Sequence, residues 1–112
     1  MENWNGYRGE LMATLGQIGQ ISPDLLHAHD KLASAQPKVP QLDAKTRELI
    51  ALAVAVTTRC DGCIAFHTDA ARKAGATQEE MVEALGVAVA LNAGAALVYS
   101  ARAFDAFTRD PG

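Results

Sequence analysis

The chain has 112 residues, of which 49% are apolar and 21% charged, the balance of one soluble globular domain. The net charge is −3 and the ten Lys and Arg residues are scattered, which excludes the basic patch of a nucleic-acid-binding protein. Residues 1–6 lack the basic start and apolar core of a signal peptide. The strongest apolar run, Leu49–Val56, is shorter than the ~20 residues that span a bilayer. We therefore expect a single cytoplasmic domain over residues 1–112, with no membrane partner.

Two helices are predicted in the first third of the chain. The first helix is predicted over residues 5–20, within an N-terminal helical segment 1–20, because apolar residues recur there at helical spacing: Tyr7, Leu11, Leu15 and Ile18. A second helix is expected to begin at Ser22-Pro23-Asp24, because serine caps helices, proline suits the first helical position and aspartate complements the positive end of the dipole. Prolines in the stretch 37–42 predict a loop after it.

The third predicted helix follows Asp43, a capping residue, and runs over 44–57 without glycine or proline. Its centre, Leu49–Val56, is apolar on every side. A buried parallel strand has the same pattern, but the length and the aspartate cap favour a helix. A helix that is apolar all round must be central, or covered by another subunit.

The remaining chain predicts a helix from about Cys60 to Lys73, ended by Gly75, and a longer one after the capping box Thr77–Glu80. This last pattern continues to about Phe107, and we expect a break or kink at 92–94, where Asn-Ala-Gly interrupts it. The predicted fold class is an all-α bundle of five to six helices. Residues 43–74 would form an antiparallel helical hairpin. The many apolar helix faces predict an obligate homo-oligomer.

Four residues of that hairpin could carry chemistry: Glu48, Cys60, Cys63 and His67. At about 1.5 Å per residue, Glu48 lies roughly 13 Å from the end of its helix and His67 roughly 10 Å into the next. In an antiparallel hairpin these depths are similar. Glu48 is therefore expected to approach His67, although 19 positions separate them.

A Cys-x-x-Cys pair in a cytosolic protein points to redox chemistry or metal binding rather than to a structural disulfide. The start of a helix favours the thiolate form, which is the nucleophile. Cys63 and His67 share a helix face at i and i+4, so His67 could accept the proton of Cys63. Glu48 could orient His67, which completes a nucleophile, base and orienting group.

Three segments, 42–54, 60–67 and 70–81, resemble the carboxymuconolactone decarboxylase superfamily, and within it the alkyl hydroperoxidase D (AhpD)-like branch. The resemblance covers about residues 20–107. Its most specific part is the spacing Glu-x11-Cys-x2-Cys-x3-His, which is intact from Glu48 to His67.

The resemblance implies an all-helical fold that assembles into a homotrimer or homohexamer. It also implies alkyl hydroperoxide reductase or disulfide oxidoreductase activity, with Glu48, Cys60, Cys63 and His67 as a proton relay. No cofactor is implied besides a redox-active Cys60–Cys63 disulfide. By similarity, Cys63 would attack the peroxide and Cys60 would resolve its sulfenic acid. A dithiol donor, either a lipoyl protein or a thioredoxin-like protein, would reduce the disulfide. Helix position favours Cys60 as the attacking thiol, so the order stays open.

One position departs from the best-studied branch, which carries a second histidine just before its second cysteine. Gly62 stands there in this chain. Three other hypotheses compete with the redox enzyme: a carboxymuconolactone decarboxylase-like lyase, a helical scaffold without turnover, and a zinc-binding helical assembly protein that uses the same four residues. The cysteine pair argues against the lyase, because the decarboxylases of the superfamily lack it. His27 and His29 are predicted to have solvated or packing roles.

Overall fold

The computed structural model describes residues 1–109, and within them it contains five α-helices and no strand. The helices are α1 (Trp4–Ile21), α2 (Pro23–Ser34), α3 (Ala44–Thr58), α4 (Asp61–Lys73) and α5 (Gln78–Arg109). The predicted all-α fold class is confirmed. The last three residues of the predicted domain 1–112 lie outside the described part.

A side-chain capping bond forms at the predicted start of α3 but not at that of α2. The carboxylate of Asp43 accepts a hydrogen bond from the Thr46 amide at 2.8 Å, which begins α3. This bond also lowers the pKa of Asp43. Ser22 occupies the cap position before α2, but its side chain makes no capping bond, contrary to the prediction. Its amide instead donates to the Ile18 carbonyl at 2.8 Å, so this residue closes α1 while Pro23 begins α2.

Helix α3 lies at the centre of the chain, because it packs against both α4 and α5. Helix α1 packs on α4, and within residues 1–109 α2 touches α1 alone. The fully buried side chains are small except for one leucine; they are Leu52, Ala55, Ala65, Ala71 and Ala88. Helix α3 is not buried all round, since Ile50 and Val54 are each about half exposed. The core is therefore a thin seam between helices, with apolar surface left outside it.

Helix α5 is continuous through 92–94, so the predicted break there is wrong. The amide of Asn92 donates to the Ala88 carbonyl at 2.7 Å and to the Thr57 hydroxyl at 2.9 Å. These bonds satisfy the polar side chain without interrupting the helix. The helical penalty of Gly94, about 1 kcal/mol relative to alanine, is too small to end a helix of 32 residues.

Much of α5 is exposed and apolar. Its large exposed side chains are Val82, Val87, Val89, Leu91, Leu97, Val98, Tyr99, Phe104 and Phe107. Within the described part of the chain α5 contacts only α3. By length and composition alone this one helix could cross a bilayer, whereas the expectation of no membrane partner rested on the run 49–56. An apolar surface of this size needs a partner, either lipid or protein.

The capping box at the start of α5 also joins it to α3. The Thr77 hydroxyl accepts from the Glu80 amide and the Glu80 carboxylate accepts from the Thr77 amide, both at 3.0 Å. The second carboxylate oxygen of Glu80 pairs with Lys45 at 2.8 Å, and this contact lowers the pKa of Glu80.

We predict that Thr77→Ala lowers the free energy of unfolding by about 1 kcal/mol, because the Glu80 amide loses its acceptor. Urea unfolding followed by circular dichroism, at one fixed protein concentration, measures this change. Thr14→Ala is the matched control, since the Thr14 hydroxyl bonds only to a carbonyl of its own exposed helix. Equal effects of the two substitutions would contradict the capping role.

Candidate functional site

The candidate site is built on the two-residue turn between α3 and α4. Arg59 ends α3 in the left-handed conformation, with φ 55° and ψ 51°. The amide of Cys60 then bonds to the Ala55 carbonyl at 3.0 Å. A left-handed non-glycine residue costs about 1–2 kcal/mol, which the packing of α3 on α4 must offset. The turn sends the chain straight back along α3 and leaves Cys60 at the start of α4.

Cys60 is the N-cap residue of α4. Its sulfur accepts a hydrogen bond from the Cys63 amide at 3.1 Å, so a thiol takes the place of the usual serine or aspartate oxygen. Both cysteines are free thiols and both are partly exposed. They are therefore reduced, adjacent and accessible to a small oxidant.

The two thiols do not have equal surroundings. A hydrogen bond with Cys60 and, to a smaller extent, partial burial raise the pKa of the Cys63 thiol above its ordinary value. The Cys63 thiol is therefore harder to ionise than an ordinary cysteine thiol.

Glu48 and His67 meet across the hairpin. Glu48 Oε2 lies 2.6 Å from His67 Nδ1, which confirms the approach predicted from helix depths. The carboxylate is 24% exposed and the ring 40% exposed, so the contact lies at the edge of the α3–α4 seam. A ring that donates at Nδ1 presents Nε2 as an acceptor, and Nε2 is the atom available to a substrate or water.

The predicted contact between His67 and a thiol is not formed directly. Within residues 1–109 the ring of His67 is hydrogen-bonded to Glu48, and neither sulfur is hydrogen-bonded to it. Sharing a helix face at i and i+4 therefore places His67 near Cys63 without making it a bonded base.

The other candidate ligands do not join the site. Among the described residues, no group of three His, Cys, Asp or Glu side chains converges to hold a metal ion, so the zinc hypothesis gains no support. His27 and His29 are exposed on α2, away from the hairpin, as predicted.

Helix α1 supplies two site neighbours that the sequence analysis missed. A Cβ atom at Gly62 would lie 2.8 Å from Leu11 Cδ2, closer than real Cβ contacts. Three residues further along the same face of α4, the Ala65 carbonyl accepts from the Arg8 guanidinium at 2.7 Å. Leu11 thus fills the space that a side chain at 62 would take. A glycine in the first turn of α4, where propensity disfavours it, was the available signal.

The family assignment rests on most of the chain. Residues 23–106 match the profile of the carboxymuconolactone decarboxylase family. The chain belongs to the carboxymuconolactone decarboxylase family. Helix α1, with Leu11 and Arg8, precedes the matched segment, so the cover over Gly62 lies outside the part that defines the family.

A solved structure from the same family and two uncharacterised curated proteins are similar to this chain. The crystal structure of an apo carboxymuconolactone decarboxylase family protein from Legionella pneumophila superposes with a TM-score of 0.75 at 38% identity, covering 97% of each chain. An uncharacterised Haemophilus influenzae protein is 48% identical over 106 residues, covering 95% of this chain and 94% of the relative. Uncharacterised protein 4 of the cox locus of Paracoccus denitrificans is 37% identical over 91 residues, covering 81% of this chain and 82% of the relative. These similarities extend over nearly the whole domain.

We predict that Gly62→Ala is less favourable to stability than Gly86→Ala by about 1 kcal/mol, because the end of the Leu11 side chain must move away from the new methyl group. Gly86→Ala is the matched control: it lies in α5 with no atom within 4 Å of an added Cβ. That substitution should stabilise by up to about 1 kcal/mol through helix propensity.

The double variant Gly62→Ala/Leu11→Ala should lose less free energy of unfolding than the sum of the two single substitutions. Leu11→Ala removes the methyl group that the new Cβ would overlap, and the new Cβ fills part of the space that Leu11 leaves. Denaturant unfolding of the wild type, the two single variants and the double variant gives the four free energies of this double-mutant cycle. Strict additivity would show that Leu11 and Gly62 do not constrain each other.

Proposed function

We propose that this member of the carboxymuconolactone decarboxylase family is a thiol-dependent oxidoreductase that reduces hydroperoxides with Cys60 and Cys63. One observation carries the proposal: the reduced thiol pair caps α4 one turn before a histidine that is held by a carboxylate. This arrangement combines a helix start that favours thiolate with a nearby proton acceptor. Such combinations of nucleophile, base and orienting group mark catalytic sites more often than structural ones.

The proposed reaction is a two-electron reduction of the peroxide. One thiolate attacks the outer peroxide oxygen, so that a sulfur–oxygen bond forms, the oxygen–oxygen bond breaks and the leaving alkoxide takes a proton. The second thiol then attacks the sulfenic acid, loses its proton and releases water, which leaves a Cys60–Cys63 disulfide. An external dithiol reduces this disulfide by exchange and is itself oxidised.

The Glu48–His67 pair manages the protons in both steps. With Nδ1 committed to the carboxylate, the free Nε2 can receive the proton of the resolving thiol and deliver one to the leaving oxygen. Since no hydrogen bond joins the ring to either sulfur within residues 1–109, this transfer passes through a water or the substrate. Glu48 fixes the ring orientation and the tautomer.

The disulfide is the only redox group that this mechanism requires, so we propose no bound cofactor. The dithiol donor would be a lipoyl group on a protein, or a thioredoxin-like protein. Both donors and the peroxide are compatible with a cytoplasmic enzyme.

We further propose that a second copy of the chain covers the apolar faces, in a homotrimer or homohexamer. A groove between α3 and α5 is almost wholly apolar; it is lined by Ile50, Ala53, Val54, Thr57, Val87, Ala88, Leu91, Asn92 and Ala95. Lipid is a poorer partner, because α5 packs on α3, with Asn92 bonded to Thr57, and α3 is joined directly to the site. A bilayer around α5 would have to displace this contact.

We predict that wild-type protein with a dithiol donor turns over hydroperoxide, and that replacing either cysteine with serine abolishes turnover. His67→Ala should lower the rate by about 10²–10⁴-fold, the usual range for a general acid–base. Glu48→Gln should fall between wild type and His67→Ala, because glutamine still bonds the ring without its charge. His29→Ala, on exposed α2, is the control and should match wild type.

Peroxide consumption coupled to donor oxidation gives the rates, and mass spectrometry after peroxide reports the disulfide. Two thiols that stay free and unmodified after peroxide would sink the proposal. Thiol-independent turnover of a lactone acid by the Cys60→Ser/Cys63→Ser variant would favour a decarboxylase-like lyase instead.

We predict that the protein sediments as an oligomer at micromolar concentration and that Leu97→Glu, on the exposed face of α5, shifts it towards monomer. Flotation with neutral and anionic lipid vesicles serves as the companion measurement and should leave the protein unbound. A wild-type monomer that floats with vesicles would overturn the assembly in favour of a membrane-bound α5.

A further inference from the structure

We propose that the cleft between the start of α1 and α4 binds a phosphate monoester that carries a flat ring, of the nucleoside monophosphate kind. The cleft has a volume of about 530 Å³, which is within the range of small-molecule sites. Its walls include Asn3, Trp4, Asn5, Arg8, Thr68 and Arg72. The four residues of the candidate redox site do not line it, so this site stands apart from the proposed function.

The hydrogen-bonding groups left over on the α1 side of the cleft are donors. Asn3 Oδ1 accepts a hydrogen bond from the Gly6 amide at 3.2 Å, and Asn5 Oδ1 accepts one from the Arg8 guanidinium. Both amide oxygens are therefore engaged, whereas within residues 1–109 neither Nδ2 group donates a hydrogen bond. A ligand in this cleft meets two amide donors, which suits a group rich in acceptor oxygens.

Two guanidinium groups, one from each helix, bring positive charge to the cleft. Arg8 is half-buried, and its Nη1 donates to the Ala65 carbonyl at 2.7 Å, which holds this group against α4. Arg72 is 66% exposed and reaches the Asp69 carboxylate only at 3.5 Å, so its other donors are open to a ligand. An anion between these two groups would join α1 to α4.

The charges around the cleft favour an anion. Lys73 pairs with Asp69 at 2.8 Å, and the hydrogen bond from Lys73 lowers the pKa of that carboxyl most. The charges of Arg8 and Arg72 lower the same pKa further, which places both guanidinium groups near one carboxylate. Within residues 1–109 these three cations face the carboxylates of Asp69 and Glu2, so an excess of positive charge remains beside the cleft.

The number of donors favours a phosphate over a carboxylate. A phosphate monoester presents three acceptor oxygens and a charge of about −1.5 to −2 at pH 7, which matches two guanidinium groups. The planar fork of a guanidinium group also fits two oxygens of a phosphate at once. A carboxylate carries a single negative charge, and it would leave one of the two guanidinium groups without an ionic partner.

The flat part of the ligand is assigned to Trp4. The indole meets the Tyr7 ring edge to face, with the ring centroids 6.0 Å apart and the ring planes at 82°. In this arrangement at least one face of the indole is not covered by Tyr7, and Trp4 is half-buried at the wall of the cleft. Nucleic-acid bases stack on such aromatic faces. A nucleoside monophosphate therefore offers the ring and the anionic group in one molecule.

The first test uses reduced wild-type protein and the fluorescence of Trp4, which is the only tryptophan in the sequence. Titration with adenosine monophosphate should change this fluorescence saturably, and isothermal titration calorimetry should give the same dissociation constant. Adenosine and inorganic phosphate each supply one part of the ligand, so each should bind at least about tenfold more weakly. An absence of saturable binding overturns the proposal, and so does inorganic phosphate that binds as tightly as adenosine monophosphate.

The second test changes the charge of the cleft and keeps its hydrogen bonds. Asn5→Asp still accepts from Arg8, but it replaces an amide donor with a negative charge. Arg72→Gln removes an exposed cation. Each substitution should weaken the binding of adenosine monophosphate by about tenfold or more, because a charge-assisted hydrogen bond is lost.

Lys38→Gln is the matched control for both variants, since it lies in the exposed loop between α2 and α3 and makes the same change in net charge. It should bind adenosine monophosphate like wild type. Urea unfolding of the three variants verifies that each is folded. Equal weakening by Lys38→Gln would mean that overall charge alone attracts the nucleotide, and wild-type affinity in both cleft variants would remove the site from this cleft; either result overturns the proposal.

Discussion

The close packing of α3 on α4 is the constraint on which the rest of the structure depends. The buried contacts are made by small side chains, with Ala55 on one helix and Ala65 and Ala71 on the other. Small residues let the helix axes approach, and only then can a carboxylate on α3 reach a ring on α4 at 2.6 Å. The left-handed turn at Arg59 serves the same contact, because it reverses the chain within two residues and places Cys60 at the helix start. The contact between α3 and α4 therefore both holds the fold together and brings the candidate site residues into position.

A seam of small side chains buries little surface, and this has a consequence for the whole molecule. Hydrophobic stabilisation scales with apolar area removed from water, so a core of one leucine and several alanines contributes little for a chain of this length. The apolar residues of α5 remain outside that core, where a second copy could cover them. Assembly would then supply stability that the single chain does not provide for itself, and it would explain why an exposed helix is so rich in valine, leucine and phenylalanine.

The N-terminal helix α1 packs against α4 beside the thiol pair and covers one side of it. It lies before the segment that defines the family, yet Leu11 packs on Gly62 between the two cysteines, and Arg8 bonds to the next turn of α4. Replacement of the second histidine of the best-studied branch by glycine is therefore coupled to the position of α1. In this chain one flank of the thiol pair is closed by an apolar side chain instead of carrying a further proton acceptor. His67 and Glu48 form the paired titratable groups across the α3–α4 hairpin.

The sequence by itself determined the helices, their caps at Asp43 and Thr77, and the pairing of Glu48 with His67. These depend on local propensity and on the regular rise of a helix, which short-range patterns encode. The break predicted from the sequence at 92–94 is absent from α5. The hydrogen bond from Asn92 to Thr57 on α3 offsets the local tendency of Asn-Ala-Gly to interrupt a helix. Only the tertiary structure decided that Leu11 occupies the space beside Gly62, and that the Cys63 amide bonds to the Cys60 sulfur while neither sulfur bonds to His67 within residues 1–109. Contacts between residues far apart in sequence depend on how helices pack, and a linear pattern does not contain that packing.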